Sequence, residues 1–522
     1  MKSDNIISKF VENARQHKDH VALCYRSGFF RSRFQQVTYD QLLSDVNIAV
    51  HNLKKSGFEK KDRILVFVPM SYELYVLCLG ILHMGAVLVF VDAWSNINRL
   101  SMACDIVQPK GFIGTLKAQL LRLSASIRQI PIKCISTQLL STQPHQTINE
   151  IYAAETTEED EAIVTFTTGS TGAPKAAKRT HGFLLAQHHA LHAHMPIPEN
   201  DINLATLPIF VLNNLTMKST TVLPDFNPAR PSDFNAKNVV DQIIDLKVTS
   251  SIGSPAFFDH LANYILETNT FTSFKTIYTG GAPIFKPLAQ KFRQAFPQTD
   301  IHVVYGATEV EPVSSIPLHD YIKQDHRFGL PVGKHISSLK VKVIKPSDNA
   351  LILDDTQRLE SLEVNDNEVG EIIVSGDHVL KEYIGSEAMF NQNKIVCNNV
   401  LWHRTGDAGR MDTNGHLYLY GRVKNRFLTQ DGHQVFSIPI EQAMIQVSKI
   451  SFAAMFMAHN NLYVALEPEK PLSASEKDDI LLEVKKIVKD LQVKEILFMK
   501  KIPRDPRHHS KANIEILIKK HS

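Results

Sequence analysis

Ile163-Val164-Thr165-Phe166 runs directly into Thr167-Thr168-Gly169-Ser170-Thr171-Gly172-Ala173-Pro174-Lys175. The first four residues are β-branched, apolar or aromatic, as in a buried strand. Six hydroxyl or glycine residues follow before the alanine, proline and lysine. Glycines let backbone N–H groups come close to a phosphate. The Ser and Thr hydroxyls add donors, and Lys175 adds charge. Flexible linkers share the small residues, but they seldom place a proline and a lysine after two spaced glycines. The Walker-type loop needs four residues between its glycine and its Gly-Lys pair. Here only Ser170 and Thr171 separate Gly169 from Gly172.

Outward from this stretch the chain alternates strands and helices. Upstream, Ile7, Phe10, Val11 and Ala14 carry helical spacing, and strands are expected at Val21–Tyr25 and near Val37-Thr38. Thr38-Tyr39-Asp40-Gln41-Leu42 reads as a strand end entering a helix. Ile64–Val68 is a continuous apolar strand. Helix 71–84 and strand 87–91 complete a β-α-β unit, which helix 96–106 and strand 111–114 extend. Residues 155–161 form an acidic, solvated connection. Downstream the pattern predicts helix 182–193 and strands at 204–208, 248–253, 276–280 and 301–306. Such alternation implies a parallel sheet covered on both faces, with ligands held outside the carboxyl ends of its strands. After about residue 330 short strands at 339–345, 370–375 and 416–420 suggest a small β-barrel or meander. A last unit begins near residue 424, with helices near 438–447 and 475–491.

The 522 residues, 43% hydrophobic, are enough for several structural units. The net charge of +3 gives no bulk attraction to nucleic acid or an anionic membrane. The five cysteines, Cys24, Cys78, Cys104, Cys134 and Cys397, are scattered and form no CxxC pair. Reduced thiols of a cytoplasmic protein are expected, with neither a disulfide frame nor a zinc site. Residues 74–91 are almost wholly apolar, but His83 and Gly85 interrupt them. They read as a buried helix and a buried strand, not a membrane span. The N-terminus lacks the apolar run of a secretion signal.

Further signals repeat the chemistry of the first. Tyr305-Gly306-Ala307-Thr308-Glu309 follows a strand and sets a hydroxyl beside a carboxylate, which suits a nucleotide phosphate and its magnesium. Read alone, Thr308 is equally a helix cap. Trp402-His403-Arg404-Thr405-Gly406-Asp407 contains what is locally a turn, and Gly421-Arg422 follows it. Near the C-terminus, Pro503-Arg504-Asp505-Pro506-Arg507-His508-His509-Ser510-Lys511 is a proline-containing loop that delivers a lysine.

In this order the stretches resemble the adenylate-forming superfamily of acyl-CoA synthetases, peptide-synthetase adenylation domains and luciferases. The motifs span about residues 165–511, and the N-terminal third agrees by pattern only. The resemblance implies a large N-terminal domain, residues 1–423, of two stacked doubly wound α/β subdomains plus a small β-barrel. A small mobile α+β domain, residues 424–522, would follow and carry the catalytic lysine. It implies ATP and Mg2+ as cofactors. It assigns Thr167, Thr168, Gly169, Ser170, Thr171, Gly172 and Lys175 to the triphosphate. Gly281, Ala282, Pro283, Tyr305, Gly306 and Ala307 would frame adenine, with Tyr305 stacked on it. Thr308 would contact phosphate, and Glu309, with Thr168, would serve the metal. Asp407 and Arg422 would hold the ribose, Lys424 would be the hinge, and Lys511 would bridge the carboxylate and the α-phosphate. Lys511 then offsets charge as a carboxylate attacks an electron-rich phosphate. Three residues depart from the usual pattern: Ala176 and Ser510 replace glycines, and Gly432-His433-Gln434 replaces a Gly-x-Arg element near the thiol site of CoA ligases.

The substrate pocket is expected beside Phe210, Val211, Gly253, Ser254, Pro255 and Gly280. Its segments are apolar, and 208–217 holds no Asp to catch an amino group. A hydrophobic carboxylic acid is the better match, although such residues are as readily plain core. Val91-Asp92, the segments 108–114, 223–231 and 253–256, and the tail 506–511 resemble the β-lactone synthetases of olefin biosynthesis. That branch adenylates a long-chain β-hydroxy acid and closes the β-hydroxyl onto the acyl carbon. β-Lactone formation is therefore placed ahead of thioester formation with CoA. A non-catalytic ATP or acyl-adenylate binding protein is the alternative of another class. The expected partners are a small carboxylic acid and the enzymes of a lipid pathway, with neither nucleic acid nor a transmembrane segment.

Overall fold

The computed structural model describes residues 5–27, 33–91, 97–141, 152–168, 174–198, 200–228, 230, 232–353, 356–385, 387–429, 431–505 and 511–521. Two α/β sheets dominate. One runs Glu382–Ile384, Pro174–Thr180, Glu161–Thr168, Val87–Phe90, Arg63–Phe67, Gly111–Gly114 and Ile132–Ile135 in spatial order. Its last five strands are parallel, and the first two are antiparallel additions at one edge. The other runs Val310–Pro317, Asp300–Ala307, Thr276–Gly280, Ser250–Gly253, Ile202–Ala205, Thr220–Val222, Val21–Ser27 and Arg33–Thr38. It is parallel except at its two outer pairings.

Helices Tyr39–Lys55 and Tyr72–His83 fill the layer between the sheets. Leu42, Val46, Val50, Leu74 and Val76 share one core with Leu23 of one sheet and Ile64, Val66 and Ile163 of the other. Every residue from Leu74 to His83 is buried, which explains the long apolar run without a bilayer. No helix among the described residues is long and apolar enough to cross a membrane. The sequence marks the first of these helices well. Thr38 Oγ1 accepts from the Gln41 N–H at 3.2 Å, and Gln41 Oε1 accepts from the Thr38 N–H at 3.0 Å, a reciprocal cap.

After residue 330 an antiparallel sheet takes over in the order Leu330–Lys334, His416–Arg422, Val400–Met411, Gly370–Ser375 and Lys340–Ile344, with Lys394–Cys397 paired to Val400–Met411. The last hundred residues build a three-stranded sheet from Ile450–Ala458, Asn461–Pro468 and Val493–Phe498, packed by helices Ser437–Ile445, Ala474–Ile487 and Ile514–Lys520.

Three local readings of the sequence are corrected. Pro174–Thr180 is a strand, inserted between the glycine-rich turn and helix His181–His194. Its proline, alanines and cations have weak strand preference. It forms because it folds back on Glu161–Thr168, with the proline at its first position, where a missing N–H is tolerated. Residues 405–407 are not a loop turn but an irregularity within the twelve-residue strand Val400–Met411. Gly406 takes φ +67° there, and register shifts flank it on both partner strands. Pro208–Thr216 is a helix whose first position is the proline.

His181 offers a test of how the N-terminal segment is anchored. Its Nδ1 accepts from the Ile6 N–H at 3.2 Å, and the side chain is fully buried. Burial pulls its pKa down to about 4. The unfolded chain therefore takes up a proton near pH 6.5 while the folded chain refuses it until about pH 4. Stability falls as pH falls through that window, by roughly 3 kcal/mol in full. The thermal midpoint of His181→Asn should drop less between pH 7 and pH 5 than that of wild type. Equal drops would place the acid sensitivity elsewhere.

Candidate active site

The carboxyl ends of the second sheet open onto a cleft of about 1460 Å³. Gly253, Ser254, Gly280, Gly281, Ala282, Pro283, Tyr305, Gly306, Ala307, Thr308 and Glu309 line it from this side. Gly280 is required by close approach: a Cβ there would stand 2.2 Å from the Val304 carbonyl oxygen. Ser254 caps helix Pro255–Thr268, accepting from the Phe257 N–H at 3.3 Å. Phe210 lines the cleft. Its neighbour Val211 does not; it is fully buried in the core between the sheets, and Pro255 is the buried first residue of its helix. For Val211 and Pro255 the plain packing reading is the one observed.

The antiparallel sheet supplies the opposite wall. Asp407 and Arg422 face each other in register across neighbouring strands. Arg422 Nη1 donates to Asp407 Oδ1 at 2.6 Å, and the Tyr305 hydroxyl donates to Asp407 Oδ2 at 2.9 Å. The Asp407 charge raises the Arg422 pKa, while burial, with Asp407, raises that of Tyr305. Behind them Arg404 and Glu371 form a buried ion pair at 2.6 Å, which ties Val400–Met411 to Gly370–Ser375 and fixes where Asp407 emerges.

Glu309 sits in a cluster that the sequence did not reveal. The Tyr383 hydroxyl donates to Glu309 Oε1 at 3.2 Å. Lys394, almost fully buried, donates to the Leu380 carbonyl, and desolvation brings its pKa down to about 7 against the pull of Glu309. Lys175 donates to Asn393 Oδ1 at 2.9 Å. Arg179 donates to the Thr308 carbonyl at 3.0 Å, holding the turn that presents Thr308 and Glu309. Tyr383 and Lys394 come from short strands far along the chain. The one available signal was a lysine heading the short apolar strand Lys394–Cys397.

Lys175, Lys424 and Lys511 line the same cleft beside Arg422. Desolvation lowers the pKa of each lysine, and Arg422 lowers each further. Glu309 opposes this at Lys175, and Asp407 followed by Asp505 opposes it at Lys511. Cations that disfavour one another's charge form a site that an anion stabilises. The backbone at Lys511 is pinned: the Asp505 N–H donates to the Lys511 carbonyl at 2.7 Å, and Arg504 bridges to Ala512. Residues 169–173 and 506–510 lie outside the described residues, as do the side chains of Thr167 and Thr168. Gly169, Ser170, Thr171, Gly172 and the hydroxyl of Thr168 therefore keep the standing of expectations. The strands bounding the turn are described, and Thr168 pairs with Pro174.

Among the described residues no group of three or more His, Cys, Asp or Glu gathers to hold a metal. Magnesium that is bound mainly through substrate phosphates needs only one or two carboxylates. Glu309 at the cleft wall fits that requirement.

A sequence profile described as AMP-binding enzyme matches residues 10–384. The chain is 28% identical over 453 residues to an olefin beta-lactone synthetase of Xanthomonas campestris pv. campestris, covering 82% of this chain and 80% of that protein. It is 22% identical to a 4-coumarate–CoA ligase-like protein of Arabidopsis thaliana, covering 90% and 83%. The crystal structure of ATP-bound MatB from Rhodopseudomonas palustris shares the fold, with a TM-score of 0.81, 17% identity and 99% coverage of both chains.

Proposed function

The chain belongs to the AMP-binding enzyme family of adenylate-forming ligases, and on that premise we propose that it activates a long-chain β-hydroxy carboxylic acid and closes it to a β-lactone. One observation carries the first half: Thr308-Glu309, Asp407-Arg422, Lys175 and Lys511 all border one cleft. In this reading Asp407 accepts from the ribose hydroxyls while Arg422 and Tyr305 hold its carboxylate in place. Lys175 and the glycine-rich turn grip the β- and γ-phosphates. Thr308 donates to the α-phosphate, and Glu309, which accepts from the Tyr383 hydroxyl, would hold Mg2+, which would supply charge neutralisation at the phosphates. A carboxylate oxygen of the acid attacks the α-phosphorus and pyrophosphate leaves. Lys511 offsets the negative charge that accumulates on the attacking and phosphoryl oxygens.

The cleft continues from this polar end between apolar side chains, among them Val68, Met70, Leu74, Leu121, Phe210 and Ile252. An alkyl chain fits such walls, and a polar or amino-acid side chain would leave its polar groups unpaired there. In the second step the β-hydroxyl oxygen attacks the acyl carbon, the acyl–phosphate bond breaks, and AMP leaves. The hydroxyl proton passes to solvent. We place the hinge for any rotation of residues 424–522 at Lys424, where the short helical turn Val423–Asn425 follows strand His416–Arg422.

Thioester formation with CoA is the competing outcome, given the CoA ligase-like relative. In the hairpin Phe427–Leu428 with Gln434–Val435, Gln434 stands at the arginine position of the Gly-x-Arg element, and the neighbouring His433 pairs with Asp431 at 2.8 Å. Mass spectrometry of products from ATP with 3-hydroxy and unsubstituted fatty acids, each with and without CoA, separates the two. A lactone formed from the 3-hydroxy acid without CoA is expected. A thioester formed only with CoA would replace this reading, and no acyl-adenylate from any acid would reduce the protein to a nucleotide-binding role.

A further inference from the structure

We propose that the segment 116–123 docks on an anionic lipid bilayer, with the apolar arm of the cleft opening beside it. Leu116, Leu120 and Leu123 leave 73%, 70% and 83% of their surface exposed. Lys117–Leu123 is a 3-10 helix, in which residues three apart eclipse one another. Lys117, Leu120 and Leu123 therefore share one outward edge. On the inner side Ala118 and Leu121 pack against the core around Phe112. The same turns wall the cleft, which Lys117, Ala118, Leu120 and Leu121 line. Lys117 and Leu120 belong to both the exposed edge and the cleft lining, so the edge borders the cleft.

Charge identifies the occupant. Between residues 111 and 141 stand Lys117, Arg122, Arg128 and Lys133, with no Asp or Glu, whereas Lys110 just before them pairs with Asp62. The whole chain is nearly balanced, with 57 basic and 54 acidic residues, so the local asymmetry is not a bulk property. An apolar edge that carries Lys117 and Arg122 within it, and is followed in sequence only by further cations, matches the boundary between acyl chains and anionic headgroups. A second copy of this chain would face the edge with the same cations across a two-fold axis, which like-charge repulsion opposes. A bilayer offers both complements at once, and it is also where a long-chain acid is dissolved.

Co-sedimentation of the full chain with vesicles tests this without any turnover, so its failure is separable from failure of the proposed reaction. The vesicles contain two parts phosphatidylcholine to one part phosphatidylglycerol, or phosphatidylcholine alone. Wild type is expected to bind the anionic vesicles, about tenfold more weakly when phosphatidylglycerol is omitted or salt is raised. Leu116→Ser/Leu123→Ser, which alters no residue assigned to the cleft, is expected to lose about tenfold in vesicle affinity. Its thermal midpoint should be unchanged. Absent wild-type binding, or equal binding by wild type and the variant, would overturn the proposal. So would a concentration-dependent dimer that the same double substitution abolishes, because the edge would then belong to a second copy.

Discussion

Lys511→Ala is expected to slow single-turnover acyl-adenylate formation by about 10²–10³-fold while changing the affinity for ATP by less than about threefold. The reason lies in where charge develops. Lys175, Arg422 and Lys424 line the same cleft, so in the proposed reading the ground-state triphosphate would already be met by cations. The additional charge at the α-phosphate appears only as the carboxylate attacks. Lys511 lines the cleft, its carbonyl accepts from the Asp505 N–H, and the adjacent Arg504 pairs with Glu467 at 3.0 Å. Its ammonium lies within the fields of both Asp407 and Arg422. Loss of ATP affinity in step with rate would mean that Lys511 grips the ground state and has no special role in the attack.

Asp407→Asn should show the opposite separation. Asp407 accepts from Tyr305 and Arg422 in the unliganded cleft and is the carboxylate assigned to the ribose hydroxyls. Hydrogen bonds to a charged partner contribute about 1.5–3 kcal/mol each. ATP affinity should therefore fall by about tenfold to a hundredfold, measured by calorimetric titration. Arg422 would also lose the anion that raises its pKa. An affinity equal to that of wild type would remove Asp407 from the nucleotide site.

Much of the fold could be read in the chain because its elements carry local signals. The capping pair Thr38 and Gln41, the apolar strand around Ile64–Val66 and the buried helix Tyr72–His83 are each specified within a few residues. Edge strands were less visible. Pro174–Thr180 owes its form to the strand it folds against, not to its own preferences. The site divides in the same way. Thr308, Glu309, Asp407 and Lys511 were singled out by the resemblance of their short stretches to the family's motifs, and the structure brings all four to one cleft. Tyr383 and Lys394 were not singled out, because their roles arise only when Glu382–Ile384 and Lys394–Cys397 are brought beside Glu309. Phe210 and Val211 show the limit at its smallest scale. They are adjacent in sequence and both apolar, yet one lines the cleft and the other fills the core, because a helix turns neighbouring side chains to different faces.

The most direct measurement is exchange of labelled pyrophosphate into ATP by the full chain, with and without a 3-hydroxy fatty acid. Exchange that requires both the acid and Mg2+, and that Lys511→Ala suppresses, is the result expected. Exchange independent of any carboxylic acid, or none with any acid of whatever chain length, would contradict adenylation of a hydrophobic carboxylate in this cleft.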